Sequence, residues 1–571
     1  MKTTMCNYKS EACLGLISKP LLATLLVAFT PLLYAAGPET PNAGSILQQL
    51  KPITPPVPPA NQPGLKVERE DATKLPPSAP FLVKAIRISG NTLFDFNTLH
   101  ALVADAEGQT LTLAQLGAKT ALITDYYRRH NYPLARAVIP VQTIRDGVVE
   151  IRVIEARYSK IALDNHSEVN DDLLRATLAP VQSGQAVDQE VLDHSLLLLS
   201  DIPGVTVDAT LRPGTEVGTS DLLVETSARP AVSGLASLDN YGNSNTGRVR
   251  LGASMQYTNP LHHGDILSAT VLTSGSGMNY GRLGYETLLN GQGTRFGGSY
   301  SALHYSLGNS LSSLDAHGTA QVESLWIKHP LARTQTANVY GQIQYDQMQL
   351  RDDVDASAIQ THRHLGGWTL GLNGDWRDSF LLGAISTWNV GLMTGRVGFD
   401  NAAAQFIDST TAQTEGGFTK VNMSLSRLQN LSLQDALYLT FSGQWADGNL
   451  DQALKMTVGG AYTVRAYDMG VISGDTGILG TIEFRHNLGT LWGGQWQAVA
   501  FVDSAHVTMN KETWVSGKNT ATLSGAGLGL NWAGPNEWSA RTYLAARIGS
   551  TPEQLNGAAS VRGWLEISKR F

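Results

Sequence analysis

The sequence predicts a multi-domain chain: two small α/β modules in tandem, then a 16-stranded antiparallel transmembrane β-barrel, with a short helix ahead of both. Three observations carry that expectation. From residue 229 onward, segments of about ten residues alternate in polarity between Gly, Asn, Asp and Ser turns, the dyad repeat of a barrel wall. Upstream, one pattern of short strands and helices occurs twice at a spacing of roughly 70 residues, which marks an internal repeat. With 57 glycines and 16% charged residues among 571, the composition leans toward a turn-rich β architecture with much apolar exterior.

Residues 1–36 read as a targeting segment. Lys2, Lys9 and Lys19 precede the apolar run Leu21–Ala36, and the small residues Ala35, Ala36 and Gly37 suit cleavage of a secretory signal near there. The two cysteines, Cys6 and Cys13, lie ahead of the apolar run and so do not fit a lipoprotein site; the mature chain is expected to be cysteine-free. No later stretch approaches 18 consecutive apolar residues, so a membrane location requires a barrel. The net charge of −7, without a basic stripe or tail, argues against a nucleic-acid partner.

Residues 37–80 divide in two. Asn42–Lys51 forms a short helix with Ile46, Leu47 and Leu50 on one face. The proline-dense stretch that follows is expected to be an extended tether, which makes the helix a mobile element. Residues 81–157 and 158–228 are the two modules. In the first, Phe81–Gly90 alternates like a strand, Leu113, Leu116, Ile123 and Tyr127 recur at helical spacing, and Gly147–Leu163 returns to strands. The second repeats the order, with helical patterns at residues 171–180 and 188–202 and strands after them. Residues 229–571 form the barrel, with sixteen alternating segments. In the last of these, Val561, Leu565, Ile567 and Phe571 face one way, and Arg562, Glu566, Ser568 and Arg570 the other. Lys569 breaks the apolar face, where it can snorkel at a rim.

Enzyme constellations are absent from the pattern: there is no G-x-S-x-G, H-E-x-x-H or G-x-x-x-x-G-K. His362 and His364 share one face of a strand, but two imidazoles without a third ligand do not make a metal site. His262 and His263 read as turn residues. No catalytic residue, cofactor or metal is therefore expected.

The informative constellation is electrostatic. In Gly494–Val507, Trp496, Ala498, Ala500 and Val502 share one parity, and Gln495, Gln497 and Asp503 the other. A lipid-facing strand turns the first set outward and Asp503 into the lumen. In Ile478–Leu488 the same sorting puts Ile478, Ile482, Phe484 and Leu488 outside and Thr481, Glu483, Arg485 and Asn487 inside. A lumenal carboxylate wants a cation. The preceding loop, GGAYTVRAYDMG at Gly459–Gly470, offers Arg465, whose guanidinium can fork onto Asp503. Glu483 and Arg485 are alternative partners, and an Arg465 in a solvent-exposed loop without a partner fits the pattern as well.

These residues resemble those of the outer-membrane transporters of two-partner secretion, the TpsB family (ShlB/FhaC/HecB-like), within the superfamily that includes the barrel-assembly insertases. The likeness covers essentially the entire mature chain. Gly90-Asn91-Thr92, Pro140-x-Gln142 and Asp146-Gly147 are similar to motifs of a polypeptide-transport-associated (POTRA) domain, with Asn131 and Ala156 where Gly is common. Leu199–Leu222 is similar to the second such domain. Val464-Arg465-Ala466-Tyr467 resembles the VRGY motif of a loop folded back into the lumen, and Phe501-x-Asp503-x-Ala505 resembles the F-x-D-x-G motif of the facing strand. Ala466 and Ala505 each replace a usual Gly. The resemblance implies a contact between Arg465 and Asp503 and a lumenal plug role for the helix of Ile46, Leu47 and Leu50. It further implies periplasmic modules and a location in the outer membrane of a Gram-negative bacterium. The expected function is export of one large exoprotein, a TpsA-like adhesin, haemolysin, toxin or haem-scavenging protein. Outer-membrane lipid and the barrel-assembly machinery are the other expected partners. The alternatives are a barrel-assembly insertase or a diffusion porin.

Overall fold

The computed structural model describes residues 40–50, 64–67, 76–514, 516–555 and 559–571. The expected signal segment, 1–36, and most of the proline-rich tether lie outside the described residues.

Sixteen antiparallel strands close into one barrel, from Val232–Asp239 to Val561–Arg570. The first and last strands pair with each other through Leu235–Asp239 and Glu566–Arg570, which leaves the wall no free edge. Alternation decides which way each residue points. Val271, Leu283, Leu325, Leu370, Leu528 and Leu544 are all more than half exposed on the outer face, the apolar band of a transmembrane barrel. Several strands exceed the ten-residue segments expected from sequence. Ile359–Asp378 spans 20 residues and Ala316–Arg333 and Ala337–Val354 span 18 each, whereas a tilted strand crosses a bilayer in about 9–11. The surplus carries these hairpins past the extracellular rim. A helix absent from the sequence reading, Ala402–Thr410, lies in the extracellular crossing between two of the strands. At the opposite rim Trp492, Trp538 and Phe571 are exposed, and the Lys569 ammonium lies 5.3 Å from the Trp538 ring centroid, the snorkelling arrangement that its parity suggests.

Ahead of the barrel stand two α/β units. One is a three-stranded sheet of Ala85–Ser89, Val148–Ile154 and Arg136–Val138, packed on the helix Leu113–Arg129. The other is a four-stranded sheet packed on Asp171–Leu178 and Gln189–Ser200. Its outermost strand is a segment of the tether, Gly64–Val67, paired in parallel with Val205–Pro213. The sequence reading gave the tether no strand. The alternation of Leu65 and Val67 inward with Gly64 and Lys66 outward is the signal it carried.

The second unit is seated on the periplasmic turns of the barrel. Arg333 donates Nε and Nη2 to the two carboxylate oxygens of Asp201 at 2.6 and 2.9 Å, and Arg295 Nη2 donates to the Asp201 carbonyl at 2.6 Å. His262, which the sequence presents as a plain turn residue, has a docking contact: its carbonyl accepts from the Asn170 N–H at 2.9 Å, and its Nδ1 lies 2.6 Å from the Glu168 carbonyl. The two units are also joined to each other. Arg157 bridges Thr92 Oγ1 and the Gly184 carbonyl, and the Gln189 N–H donates to the Asn131 carbonyl at 2.9 Å. Asn131 takes φ 71°, a left-handed conformation that Asn tolerates better than most residues, so it can stand where the POTRA resemblance implies Gly.

Glu155 ties the first unit together. Its carboxylate accepts from the backbone of Thr92 at 2.7 Å, the backbone of Leu93 at 2.9 Å and the Tyr127 hydroxyl at 2.8 Å. Burial alone would raise its pKa, but the hydrogen bonds from Thr92, Leu93 and Tyr127 outweigh it and hold the group below the ordinary carboxylate value. A depressed carboxylate contributes stability that is present above its unfolded pKa and lost as pH falls through the folded one. Glu155→Ala leaves the buried Tyr127 hydroxyl without an acceptor, removes the bonds to the Thr92 and Leu93 amides, and is expected to destabilise the unit by about 2–3 kcal/mol. Hydrogen exchange of the Val148–Ile154 amides in the intact chain reads this directly. Lowering the pH below the usual Glu range should narrow the gap between wild type and variant.

Candidate functional site

The loop between Asp435–Ala446 and Thr476–Leu491 starts at the extracellular rim and folds into the barrel. A short ladder between Met456–Val458 and Ile472–Gly474 directs it inward. Gly459 and Gly460, at φ 100° and 107°, make the reversal, and the Thr463 hydroxyl accepts the Gly459 N–H at 2.8 Å. The tip is then fixed by ion pairs. Arg465 donates Nε and Nη2 to Asp503 Oδ2 and Oδ1, both at 2.9 Å, and its backbone N–H reaches Asp503 Oδ2 at 3.1 Å. Arg465 Nη1 donates to Glu483 at 2.8 Å, and Glu483 accepts Arg485 Nε through its other oxygen at 2.7 Å. The four groups balance in charge. Asp503 is fully buried, and Arg465 and Glu483 are 6% and 4% exposed. Thr481 Oγ1 satisfies a further lone pair of Asp503 at 2.9 Å.

Aromatic side chains enclose the guanidinium. Its central carbon lies 3.3 Å from the Phe501 ring centroid and 5.0 Å from that of Tyr543, a desolvated cation–π geometry. Trp564 Nε1 donates to the Arg465 carbonyl at 2.7 Å. Val464, Ala466 and Tyr467 are buried in one cluster with Phe501 and Ala505. Neither Ala466 nor Ala505 has a positive φ, so neither alanine carries left-handed strain where the resemblance implies Gly. Gly525 on the wall makes the room for Ala466: a Cβ built there would lie 2.4 Å from the Ala466 methyl. The bare position is therefore on the strand and not in the loop.

A second set of contacts, absent from the sequence reading, holds the other side of the loop. Arg250 forks onto Asp239 at 2.8 and 3.2 Å and donates to the Tyr462 hydroxyl at 3.1 Å. Asp468 pairs with Arg248 at 2.8 Å and also with Arg562. Asn243 Nδ2 donates to the Met469 carbonyl at 3.0 Å. Strand parity places Asp239 and Trp564 in the lumen, which is the signal that could have found them. The loop thus grips strands on both sides of the barrel closure.

The helix Ala43–Gln49 lies in the same lumen. An Asn42–Ser45 capping box starts it, and at seven residues it is too short to persist alone in water. The walls supply its stability. Ala43, Gly44, Ile46 and Gln49 are buried, and Leu47 and Leu50 are partly covered by the lumenal cluster. The Ala43 N–H donates to Asp352 Oδ1 at 2.7 Å, an oxygen that also accepts the Tyr305 hydroxyl at 2.6 Å. Arg363 joins Asp352 to Asp451 at 2.6 and 2.5 Å. The re-entrant loop meets the helix as well. Gln48 Nε2 donates to the Ala453 carbonyl, and a Cβ on Gly470 would lie 2.3 Å from Gln49 Nε2. His362 and His364 face different carboxylates, Asp353 at 3.1 Å and Asp400 at 2.7 Å, and no metal-type cluster occurs among the described residues.

A closed transmembrane barrel with a lumenal loop, a lumenal helix and periplasmic α/β units defines an outer-membrane polypeptide translocator. The chain belongs to the haemolysin secretion/activation protein family ShlB/FhaC/HecB, which it matches over residues 218–532, and residues 81–156 match the ShlB-type POTRA domain. It is 27% identical to the heme/hemopexin transporter protein HuxB of Haemophilus influenzae over 81% of this chain and 82% of that one. It is 25% identical to the hemolysin transporter protein HpmB of Proteus mirabilis, over 80% and 83%. The structure of CdiB from Escherichia coli shares the fold, with a TM-score of 0.69 at 21% identity over 93% of this chain and 96% of that one. The chain is a two-partner secretion translocator of the outer membrane that exports a partner exoprotein, and not an enzyme.

Removing one member of a buried ion pair costs about 3–5 kcal/mol. Arg465→Glu and Asp503→Arg are each expected to abolish secretion while the folded barrel still resists SDS in unheated gel samples. The double exchange should not restore function, because the carboxylate introduced at position 465 would face Glu483 as a like charge. A second expectation concerns the loop seat. Gly525→Ala should displace the loop and raise its cleavage by external protease, and adding Ala466→Gly should reverse most of that rise.

Proposed function

We propose that Arg465, Asp503 and Glu483 form the lock that keeps the re-entrant loop, and through it the helix of Ile46, Leu47 and Leu50, in the resting lumen. The observation that carries this reading is the double hold on the helix. Asp352 takes its first N–H, and Gln48 and Gln49 meet Ala453 and Gly470 of the loop that Arg465 anchors. Arg465 and Asp503 set position and perform no chemistry. Val464, Ala466, Tyr467, Phe501 and Ala505 shape the seat, and Arg485 shares Glu483 with Arg465.

The chain divides, in this reading, into a signal segment at 1–36, plug helix and tether at 37–80, POTRA domains at 81–157 and 158–228, and the barrel at 229–571. An unfolded exoprotein adds as a strand to a periplasmic sheet edge, where main-chain hydrogen bonds give affinity without demanding a folded cargo. The helix then leaves and the cargo crosses. The cargo is a large adhesin, haemolysin, toxin or haem-scavenging protein; relatives named for heme/hemopexin and haemolysin transport support that class. Lipid contacts the outer face, and the barrel-assembly machinery inserts the chain. Two periplasmic units and an occupied lumen favour export over barrel insertion or solute diffusion.

Deleting residues 81–228 is expected to abolish secretion of the partner exoprotein while leaving small-solute conductance; secretion without those residues would refute the reading. Asp352→Asn weakens the hold on the helix and should raise the fraction of time single channels spend in a large-conductance state by severalfold in planar bilayers. An unchanged open fraction would contradict the plug role.

A further inference from the structure

The second periplasmic sheet has the order Gly64–Val67, Val205–Pro213, Thr219–Ala228, Arg157–His166. Its first strand is not part of the fold unit but a piece of the tether between the plug helix and the first POTRA domain. Without that piece, Val205–Pro213 would be an edge strand with one row of backbone donors and acceptors unpaired. The tether segment fills the edge in parallel register, Gly64 opposite Asp208 through Val67 opposite Leu211. Leu65 and Val67 pack onto the sheet's own core, beside residues such as Leu211, while Lys66 is exposed. Gly64 fits because a Cβ there would come within 2.8 Å of the Asp208 carboxylate. The edge is therefore a built site for an extended segment that runs parallel to Val205–Pro213 and presents aliphatic side chains at alternate positions. The occupant is only four residues long and has two apolar anchors.

We infer that this edge is a binding site shared in turn by the tether and the exported chain, so that cargo docking displaces Gly64–Val67 and loosens the plug. The inference rests on the export reading and adds which edge is used, what side-chain pattern it takes, and what must leave first. With the strand docked, residues 51–63 separate the helix from its anchor. With it displaced, residues 51–80 do. Effective concentration falls roughly as the −3/2 power of tether length, so this change lowers the return of the helix to the lumen by about threefold. Displacement thus biases the plug without ejecting it, and the main consequence is competition for the edge.

The expected cysteine-free mature chain makes the test direct. Lys66 and Thr210 are register partners on the outer face, so Lys66→Cys/Thr210→Cys locks the strand when oxidised and releases it when reduced. The probe is a fluorescent peptide of residues 60–71, added to full-length chain in detergent. Leu65→Asp/Val67→Asp chain, whose edge is open, is expected to bind the peptide at least tenfold more tightly than wild type. Oxidised Lys66→Cys/Thr210→Cys chain should not bind it measurably, and the same sample after reduction should return to the wild-type value, which controls for folding. In planar bilayers the peptide on the periplasmic side should raise the open fraction of wild type and not of the oxidised chain. Equal peptide binding by the open, wild-type and locked chains, or no binding by the open one, overturns the inference. Export is read separately as exoprotein in the medium, so a failed competition beside intact secretion removes this inference alone, and absent secretion from wild type removes the reading beneath it.

Discussion

A guanidinium carried from the extracellular rim into a barrel lumen must find carboxylates already fixed on the wall. Arg465 finds two, Asp503 and Glu483, on adjacent strands. Desolvating a charge costs several kcal/mol, and only near-ideal geometry with satisfied lone pairs recovers it. Here the fork onto Asp503, the Thr481 hydroxyl, the Arg485 partner and the Phe501 face together meet that demand. The consequence is positional. Once Arg465 is seated, the loop has one place to be, and Gly470 and Ala453 then line the helix that fills what space is left.

The lumen is therefore closed by parts that are individually weak. A seven-residue helix has little stability of its own, and the loop has a backbone ladder only at Met456–Val458. Each is held by the other and by charged residues of the wall: Asp352 for the helix, and Arg363, Arg250 and Arg562 for the loop. The barrel's own sixteen-stranded backbone ladder shares none of these contacts. Below it, the Asp201–Arg333 pair and the turn at His262 seat the second periplasmic unit against the barrel rim.

Much of this was legible in the sequence because the barrel writes its geometry at period two. The alternation around Asp503 and Glu483 is enough to name the inward residues, and the terminal strand sorts its residues in the same way. What period two does not encode was missed. Strand length past the bilayer is set by hairpin packing beyond the rim, so segments expected to be ten residues long reach 20. The strand at Gly64–Val67 is four residues inside a proline-rich stretch, too short for alternation to stand out from its surroundings. The Ala466 question had its answer on another strand, in the bare Cα of Gly525, and no local reading of the loop could have reached it. Asp239 and Arg250 were readable by parity, yet without a neighbouring motif they looked like any other lumenal polar pair.

In the proposed lock, the Arg465 cluster holds the loop and, through the loop, the helix. A distance measurement tests it most directly: spin labels at Leu50→Cys on the helix and Val390→Cys on the outer wall, read by double electron–electron resonance with Asp503 intact and as Asp503→Asn. A single narrow distance is expected in the first case and a broad distribution, with the narrow peak reduced severalfold, in the second. An unchanged narrow distance after Asp503→Asn, in a chain whose barrel remains folded, would contradict it.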